Sequence, residues 1–391
     1  MSHLGLSYSL AAALIVYSYF IYPMLLRIIA PRFGRFEQGP PELNDDALPT
    51  ITFVIAAHNE ELEIRARIEN LLQMDYPSHL VEILIASDGS SDATFAIANS
   101  FADLRVSSIE HHPNVGKSAT LNQYIPKARG SILIMSDANT YFARDAARRL
   151  VRWFSDSNVS AVSGKLSLLD PKTGNNVDSA YWRYETQIKA LEGMLGAKLG
   201  GNGAIYAFRK ADFVPFPNNT IVDDFVIPML IKLTHGGRIT FDSTAVATEP
   251  TPEAISDEYH RRVRIGTGAY QSLTLLWPLA LPQQGWTSFC FISHKLLRWL
   301  TPLLLVFMFI VSLSGLGSTW FKILLVLELL FVATACAGLR IKSGGTLARL
   351  LRTMSMFAVM NVALLIGFWR FVTQKQSGTW KRTSRGQKID A

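Results

Sequence analysis

The segment from Ser131 to Thr140 (SILIMSDANT) constrains the fold of this chain more than any other. Ile132 to Met135 is a short continuous apolar run, which is typical of a strand buried on both faces of a parallel sheet. Asp137 and Asn139 follow, and two residues apart in an extended segment they point the same way. Because ligands of open α/β sheets lie at the carboxyl ends of strands, these oxygens predict a site for a hard cation. The alternative is that they only form a turn.

Residues 50–252 alternate short apolar runs with amphipathic segments, which indicates an α/β domain with a mostly parallel sheet. The first predicted strand, Ile51 to Ala56, leads into Glu60 at the edge of the sheet where ligands bind. Asn59 is a favourable N-cap for a predicted helix that runs to Met74. The cap explains Asn59, but it does not explain an acidic side chain at the ligand edge.

Two further polar groups are expected at the same edge. The second predicted strand, Val81 to Ala86, runs into Asp88-Gly89. A carboxylate there suits hydrogen bonding to a nucleobase imide or a ribose hydroxyl, although Asp-Gly is also a common turn. Lys117 lies in the segment Asn114–Ser118 that opens a predicted helix running to Tyr124, and a lysine at a helix N-terminus can hold a phosphate. With Asp137, these residues predict a nucleotide-diphosphate site.

Apolar segments at both ends of the chain predict membrane attachment. Residues 4–30 carry no charge before Arg27 and are long enough to cross a bilayer of about 30 Å, without a cleavage site. Residues 300–313 and 321–339 predict a hairpin of two spans with both ends in the cytoplasm, because basic residues flank it. Residues 354–372 predict an in-plane or re-entrant helix, since a further crossing would place a basic tail outside.

Composition agrees with a mixed protein. The chain is 49% hydrophobic and 18% charged, which is too apolar for a soluble enzyme and too charged for a membrane bundle alone. Its net charge of +7 gathers beside the apolar segments, so anionic lipid and not nucleic acid is the expected partner. The predicted domains are an anchor (1–36), a linker (37–49), the α/β domain (50–252), an interfacial amphipathic segment (253–290), membrane helices (291–373) and a basic cytoplasmic tail (374–391).

Several motifs resemble those of the family 2 inverting glycosyltransferases with the GT-A fold. They are Val54–Glu60 (VIAAHNE), Ser87–Asp92 (SDGSSD), Gly116-Lys117, Ser136–Asn139 (SDAN), the glycine-rich Gly200–Arg209 and the acidic pair Asp223-Asp224. The resemblance covers about residues 50–275. The membrane layout is similar to that of the synthases of cellulose, hyaluronan and poly-N-acetylglucosamine.

The resemblance implies a role for each matching residue and a requirement for Mn²⁺ or Mg²⁺. The implied roles are catalysis for Asp224, as general base, and its neighbour Asp223; metal binding for Asp137 and Asn139; nucleotide binding for Ala57, Glu60, Asp88, Lys117, Asp137, Arg264 and Trp380; and acceptor binding for Glu192, Gly201, Asn202, Gly203 and Ile265. Asp223 can also cap the helix predicted to follow it.

One segment departs from the synthase pattern. Where the synthases carry Gln-x-x-Arg-Trp, this chain has Arg261, the retained Arg264, and Ile265 in place of the tryptophan. An aliphatic side chain is a weak floor for a sugar ring, which favours transfer of one or a few sugars over processive synthesis. Arg261 can pair with a diphosphate or contact anionic lipid. The segment around Trp380 resembles the gate that closes over the nucleotide in the synthases.

The sequence therefore predicts a multi-pass bacterial inner-membrane protein with a cytoplasmic catalytic domain. It would move a sugar from a UDP-sugar to a glycan or lipid-linked acceptor in polysaccharide or glycoconjugate synthesis. The expected partners are the nucleotide sugar, the acceptor, membrane lipid and possible subunits of a polysaccharide export system. The alternative is a non-catalytic nucleotide-sugar-binding subunit of a synthase complex. Asp224 argues against this alternative, because binding alone requires no base.

Overall fold

The structure is a computed structural model that describes residues 3–34, 39–170, 173, 176, 180–251, 255–341 and 344–375. The chain divides into two compact units. The helical unit comprises the described residues of Met1–Leu25, Glu258–Leu273 and Phe291–Gln376. The sheet unit comprises those of Leu26–Asp257 and Thr274–Cys290.

The sheet unit is built on one sheet of eight strands, counted over the described residues. The strands are β1 (Ile51–Ala57), β2 (Val81–Asp88), β3 (Val106–His111), β4 (Ile132–Met135), β5 (Tyr141–Phe142), β6 (Val159–Leu169), β7 (Tyr206–Arg209) and β8 (Arg238–Pro250). Their order across the sheet is β3-β2-β1-β4-β7-β6-β8-β5.

The described residues also form helices in both units. The α-helices are α1 (His3–Val16), α2 (Tyr22–Phe33), α3 (Ile64–Leu72), α4 (Thr94–Asn99), α5 (Lys117–Tyr124), α6 (Ala146–Val151), α7 (Ala180–Met194), α8 (Asp223–His235), α9 (Ile255–Leu276), α10 (Trp286–Cys290), α11 (Leu297–Ser314), α12 (Thr319–Gly338) and α13 (Thr346–Val372). Two π-helical segments are Tyr17–Ile21 and Phe291–Leu296. Short 3-10 turns are Asp45–Ala47, Ser78–Leu80, Ile125–Lys127, Arg152–Ser155, Lys210–Asp212, Trp277–Ala280 and Pro282–Gln284.

The sheet has a parallel part and a mixed part. β1 pairs in parallel with β2 and β4, and β3 is parallel to β2. β7 is antiparallel to both β4 and β6, β8 is parallel to β6, and β5 is antiparallel to β8. The predicted α/β fold with a mostly parallel sheet is confirmed.

This topology collects the predicted strand ends at one edge. Because β1, β2 and β4 run in the same direction, their carboxyl ends at Ala57, Asp88 and Met135 lie at that edge. β7 runs the opposite way and begins beside the end of β4, where Tyr206 pairs with Met135. The glycine-rich loop before β7 is therefore at the same edge. All residues of β1, β2 and β4 are buried, so the edge stands on a rigid core.

A buried carboxylate ties the same strands together at their opposite ends. Glu82 on β2 accepts hydrogen bonds from the Thr52 hydroxyl at 2.7 Å and from the Arg129 side-chain Nε at 2.7 Å. The Thr52 hydroxyl oxygen in turn accepts the Gly130 backbone N–H at 2.8 Å. This network fixes where β4 enters the sheet beside β1.

A buried ion pair joins the region after α6 to β8. The Asp242 carboxylate accepts hydrogen bonds from Arg152 Nη2 at 2.8 Å and from the Trp153 indole N–H at 2.8 Å. Several hydrogen bonds, including these, lower the pKa of Asp242 although burial acts in the opposite direction. The pair holds the half of the sheet that carries no predicted site residue.

The helix that follows β1 begins later than predicted. α3 begins at Ile64, and Asn59 has a positive φ of 57° that ordinary side chains rarely adopt. The Asn59 side-chain oxygen accepts the backbone N–H of Ser91 at 2.8 Å. The prediction that Asn59 caps this helix is wrong, because Asn59 instead binds the loop that follows β2.

Four segments of the described chain are long and apolar enough to cross a membrane. They are His3–Phe33, Trp286–Ser314, Thr319–Gly338 and Thr346–Val372. Each overlaps one of the predicted apolar segments, and α13 is a single helix of 27 residues. The domain boundaries and the in-plane or re-entrant placement of 354–372 stay predictions.

Small and polar side chains join the helices of the helical unit. α9 and α13 approach closely at Gly266 and Gly367, where an added Cβ on Gly367 would lie 2.7 Å from the Gly266 carbonyl carbon. Near the middle of α12, Glu328 Oε1 accepts hydrogen bonds from the hydroxyls of Tyr8 at 3.0 Å and Ser312 at 3.2 Å. Both devices are typical of helices that pack in lipid.

The contact between β1 and the start of β4 predicts the effect of a single methyl group. A Cβ at Gly130 would lie 2.4 Å from the backbone of Ile51 and Thr52. We expect Gly130→Ala to destabilise the protein by about 3 kcal/mol, the upper end of overpacking penalties, because backbone cannot yield as a side chain does. Thermal unfolding in detergent measures this effect. The control is Gly317→Ala, where an added Cβ meets nothing within 4 Å. Equal unfolding midpoints for the two variants would contradict the prediction.

Candidate active site

Four charged side chains from three elements converge at the carboxyl edge of the sheet. Asp137 follows β4, Lys117 opens α5, and Asp223 and Asp224 open α8. The Lys117 Nζ lies 2.7 Å from Asp137 Oδ1 and 3.4 Å from Asp223 Oδ2. One ammonium group therefore bridges the carboxylate at the end of β4 and a carboxylate at the start of α8.

The glycine-rich loop before β7 holds Asp224. The Gly203 backbone N–H donates to Asp224 Oδ2 at 3.1 Å, and the Gly201 N–H donates to the Asp224 carbonyl oxygen at 2.6 Å. A Cβ at Gly203 would lie 3.4 Å from Asp224 Oδ2 and 3.5 Å from Asp137 Oδ2. Both carboxylates thus face the same small space, which a larger residue at position 203 would fill.

The charges in this group act on one another. Burial alone would lower the pKa of Lys117, but the carboxylates of Asp137, Asp223 and Asp224 raise it above its ordinary value. Burial raises the pKa of Asp223, Lys117 opposes this, and the charge of Asp224 adds to the increase. Lys117 is therefore a permanent cation in the site, and Asp223 is the carboxyl whose ionisation depends on that cation.

Asp88 has a structural function that the sequence did not reveal. Its side chain is fully buried, and its two oxygens accept the backbone N–H groups of Val115 and Gly116, each at 2.8 Å. His111 Nε2 lies 2.9 Å from Asp88 Oδ1. Asp88 therefore shapes the loop that leads into Lys117. Its predicted contact with a nucleobase or ribose stays a prediction.

The residues at the end of β4 fit a divalent ion that a substrate also coordinates. No group of three or more His, Cys, Asp or Glu side chains in the described residues is arranged to hold a metal. Mg²⁺-type sites need only one or two protein carboxylates when phosphates and water complete the coordination. Asp137 is 35% exposed, and its Oδ2 faces the space beside Gly203. The buried Asn139 amide nitrogen has no hydrogen-bond partner among the described residues, which suits a phosphate or water oxygen beside it.

The remaining predicted residues of the sheet unit lie at the ends of strands and helices or in the glycine-rich loop. Ala57 ends β1 and is buried, and the Glu60 backbone N–H donates to the Thr94 hydroxyl at 2.7 Å. Asn202 lies in the glycine-rich loop, where its carbonyl oxygen accepts the N–H of Ile205 at 2.7 Å. Glu192 is buried in the last turn of α7. Their predicted binding roles stay predictions.

The remaining predicted residues lie outside the described residues of the sheet unit. Arg264 and Ile265 lie on α9 within the helical unit, and Ile265 is partly exposed. Trp380 lies outside the described residues. The roles of all three stay predictions.

Sequence reasoning missed two buried polar residues beside the acidic group. The Lys198 ammonium donates to the carbonyl oxygens of Gly200 and Gly201, so it supports the loop that binds Asp224. Burial and the nearby carboxylates raise the pKa of Tyr206, whose hydroxyl has no hydrogen-bond partner among the described residues. Their position in the sequence was the available indication, because Lys198 lies just before the glycine-rich loop and Tyr206 follows it.

Comparison with known proteins agrees with this site. Residues 52–212 match the family model described as Glycosyl transferase family 2. They form a glycosyl transferase family 2 domain. The matched region includes Lys117, Asp137 and the glycine-rich loop, whereas Asp223 and Asp224 follow shortly after it. The predicted family is thereby confirmed.

The family 2 domain has similar curated relatives and a similar solved structure. A β-monoglucosyldiacylglycerol synthase of Synechocystis is 28% identical over 68% of this chain and 58% of its own. A poly-β-1,6-N-acetyl-D-glucosamine synthase of Staphylococcus aureus is 27% identical over 60% of this chain and 58% of its own. The chain thus spans less than two thirds of the length of these relatives. A mannosyltransferase of Pyrobaculum calidifontis, solved with GDP-Man and Mn²⁺, covers 95% of this chain and all of its own at a TM-score of 0.70 and 20% identity. That likeness confirms the GT-A fold.

The bridge made by Lys117 predicts a pH-dependent loss of stability. Without Lys117 the pKa of Asp223 rises further, so the folded state binds its proton more tightly than the unfolded state does. Stability is then retained below about pH 4, the ordinary aspartate range, and is lost as the pH rises through the folded pKa. We expect Lys117→Met to be about 3 kcal/mol less stable than the wild type at pH 8.

Thermal unfolding of this variant between pH 4 and pH 8 checks the prediction. This range begins near the ordinary aspartate pKa and extends about four pH units above it. The double variant Lys117→Met/Asp223→Asn is the control and should lose most of the pH dependence. A destabilisation of equal size at every pH would show that the lysine acts by packing alone.

Proposed function

We propose that this protein is a membrane-bound glycosyltransferase. It moves a sugar, with inversion at the anomeric carbon, from a nucleotide-diphosphate sugar to a glycan or lipid-linked acceptor. The observation that carries the proposal is the convergence of Asp137, Lys117 and Asp224 beside Gly203. The space beside Gly203 thus has the Lys117 cation near it and is faced by two carboxylates, Asp137 for the metal and Asp224 for the acceptor.

The proposed reaction assigns one proton transfer to the chain. The acceptor hydroxyl oxygen forms a bond to the anomeric carbon while the bond from that carbon to the diphosphate breaks, and Asp224 takes the hydroxyl proton. The hydrogen bond from Gly203 fixes Asp224 Oδ2 in place without occupying its other oxygen. Because the acceptor oxygen that Asp224 deprotonates attacks from the side opposite the leaving group, inversion follows.

The donor side is assigned to Asp137, Asn139 and Lys117. A divalent ion held at Asp137 would supply charge to stabilise the departing diphosphate. Lys117 contacts Asp137 at Oδ1, and Asp137 Oδ2 faces the space beside Gly203. Asn139 can donate its unpaired amide hydrogen to a phosphate oxygen.

The acceptor is proposed as a class. The two curated relatives are named as synthases of a glycolipid and of a polysaccharide. The candidate membrane helices of this chain suit either acceptor, and Ile265 in place of an aromatic residue favours a few transfers over many.

We propose a UDP-sugar as the donor, and because the similar solved structure contains GDP-Man, guanine nucleotides belong in the assay panel.

The metal assignment predicts a defined loss in Asp137→Ala. We expect this variant to lose sugar transfer and the Mn²⁺ dependence of nucleotide binding together, because it removes the one exposed carboxylate at the end of β4. Nucleotide release from a panel of UDP- and GDP-sugars and calorimetric binding with and without Mn²⁺ measure the two effects. Asp46→Ala, at an exposed position in the segment before β1, is the matched control. Unchanged metal dependence in Asp137→Ala would overturn the assignment.

The base assignment separates an enzyme from a binding subunit. Asp224→Asn keeps the shape of the side chain and its acceptor for Gly203 but cannot take a proton at neutral pH. We expect turnover to fall by about 10²- to 10⁴-fold while donor affinity changes little. Steady-state kinetics and donor titration of the same preparation measure both quantities. A parallel fall in affinity would assign Asp224 to donor binding, and full turnover would remove the assignment of Asp224 as the base.

A further inference from the structure

Arg67 on α3 is a charged residue in a position that the helix gives to the core. The neighbouring residues on the same face, Ile64, Ile68 and Leu71, are buried, as the helical spacing of three and four residues requires. Arg67 is itself fully buried. Its guanidinium lies over the Phe142 ring at 4.3 Å from the centroid.

The hydrogen bonds of Arg67 go to neutral oxygens. Nη1 donates to Asn70 Oδ1 at 2.7 Å, and Nη2 donates to the Ser136 hydroxyl oxygen at 2.8 Å. Burial lowers the pKa of Arg67 to about 9 although the charges of Tyr141, Asp137 and Glu249 act in the opposite direction, so the group is still a cation at neutral pH. A buried cation held by neutral partners is costly to stability, and a hydrophobic residue of similar size would fill the same space. The stability of the fold therefore does not account for an arginine here.

Ser136 joins the two halves of the candidate active site. Its hydroxyl accepts from Arg67 and donates to the Ala204 carbonyl oxygen at 2.9 Å. Ser136 directly precedes Asp137, and Ala204 directly follows Gly203, which binds Asp224. A hydroxyl has one hydrogen, and the Arg67 donor at its oxygen leaves that hydrogen for a carbonyl. The Ala204 carbonyl oxygen at 2.9 Å is nearer to the Ser136 hydroxyl than the Asp137 carbonyl oxygen at 3.3 Å. Arg67 thus determines how the end of β4 is attached to the glycine-rich loop.

We infer that Arg67 is a positioning residue that acts through Ser136 to set the separation of the Asp137 and Asp224 carboxylates. This inference rests on the proposed function. It assigns Arg67 no contact with substrate. A displacement of about 1 Å between reacting groups can cost about 10²-fold in rate, which is the effect a lost attachment would have.

A double-mutant cycle tests the inference. Arg67→Met should lower kcat by about 10²-fold and leave the KM for the donor within about threefold, because each carboxylate is retained but their alignment is not. Ser136→Ala should lower kcat in the same way. If Arg67 acts through Ser136, Arg67→Met/Ser136→Ala should lose no more than the larger single loss. A combined loss equal to the product of the single losses would overturn the inference.

Matched variants separate positioning from folding. Arg152→Met removes another buried arginine, which pairs with Asp242 away from the site, and should lower the unfolding midpoint while kcat per folded molecule stays unchanged. Arg67→Lys should recover little of the rate, because an ammonium on a flexible stem does not reproduce the planar fork that spans Asn70 and Ser136. An equal loss of kcat in Arg152→Met and Arg67→Met would show that any buried arginine has this effect.

Hydrogen exchange keeps the test independent of turnover. Loss of the bond from Ser136 to Ala204 should speed amide exchange in residues 201–205 by about fivefold in Arg67→Met and Ser136→Ala, but not in Arg152→Met. Unchanged exchange in both variants would overturn the inference even if the wild type transfers no sugar. A wild type that turns over no donor would refute the proposed function alone, because the exchange result would still decide the role of Arg67.

Discussion

The ammonium of Lys117 between Asp137 and Asp223 is the interaction on which the rest of the site depends. Three carboxylates cannot be gathered beside a buried sheet edge without a cation, because like charges in a low-dielectric setting repel strongly. Lys117 supplies that cation from α5, whose start is fixed by the bonds between Asp88 and the preceding loop. The buried carboxylate of Asp88 therefore affects the site indirectly, through the backbone of the loop that leads into Lys117.

The reversal of strand direction after β4 gives the site its second wall. In a wholly parallel sheet, the neighbour of β4 would deliver another carboxyl end and another loop-to-helix turn. β7 instead begins at this edge, so the glycine-rich loop arrives opposite Asp137 and its N–H groups face Asp224. A Cβ at position 203 would make ordinary contacts of 3.4 and 3.5 Å with the two carboxylates, so a larger side chain there would occupy the space between them.

The features that the sequence predicted depend on local interactions, whereas those that it missed depend on contacts between residues far apart in the chain. The strand of Ile132–Met135 and the helix that ends at Tyr124 follow from local patterns, and the structure confirms both, with the helix beginning at Lys117. The contact between Arg67 and Ser136 joins residues 69 positions apart, so no local pattern indicates it. A charged residue at a core position of an amphipathic helix was the one available sign. Asn59 failed as a cap because the loop after β2 offered it a different donor.

The charge balance of the site links the binding of its two ligands. Three carboxylates and one ammonium leave a deficit of about two positive charges when all are ionised, a deficit that a divalent ion would neutralise. A nucleotide diphosphate arriving alone would add further negative charge to Asp137 and its neighbours. Metal and nucleotide are therefore expected to bind more tightly together than either binds alone, and by linkage each strengthens the other equally. Asp223 can bind a proton and so reduce an excess of negative charge in the site, since burial already favours its neutral form.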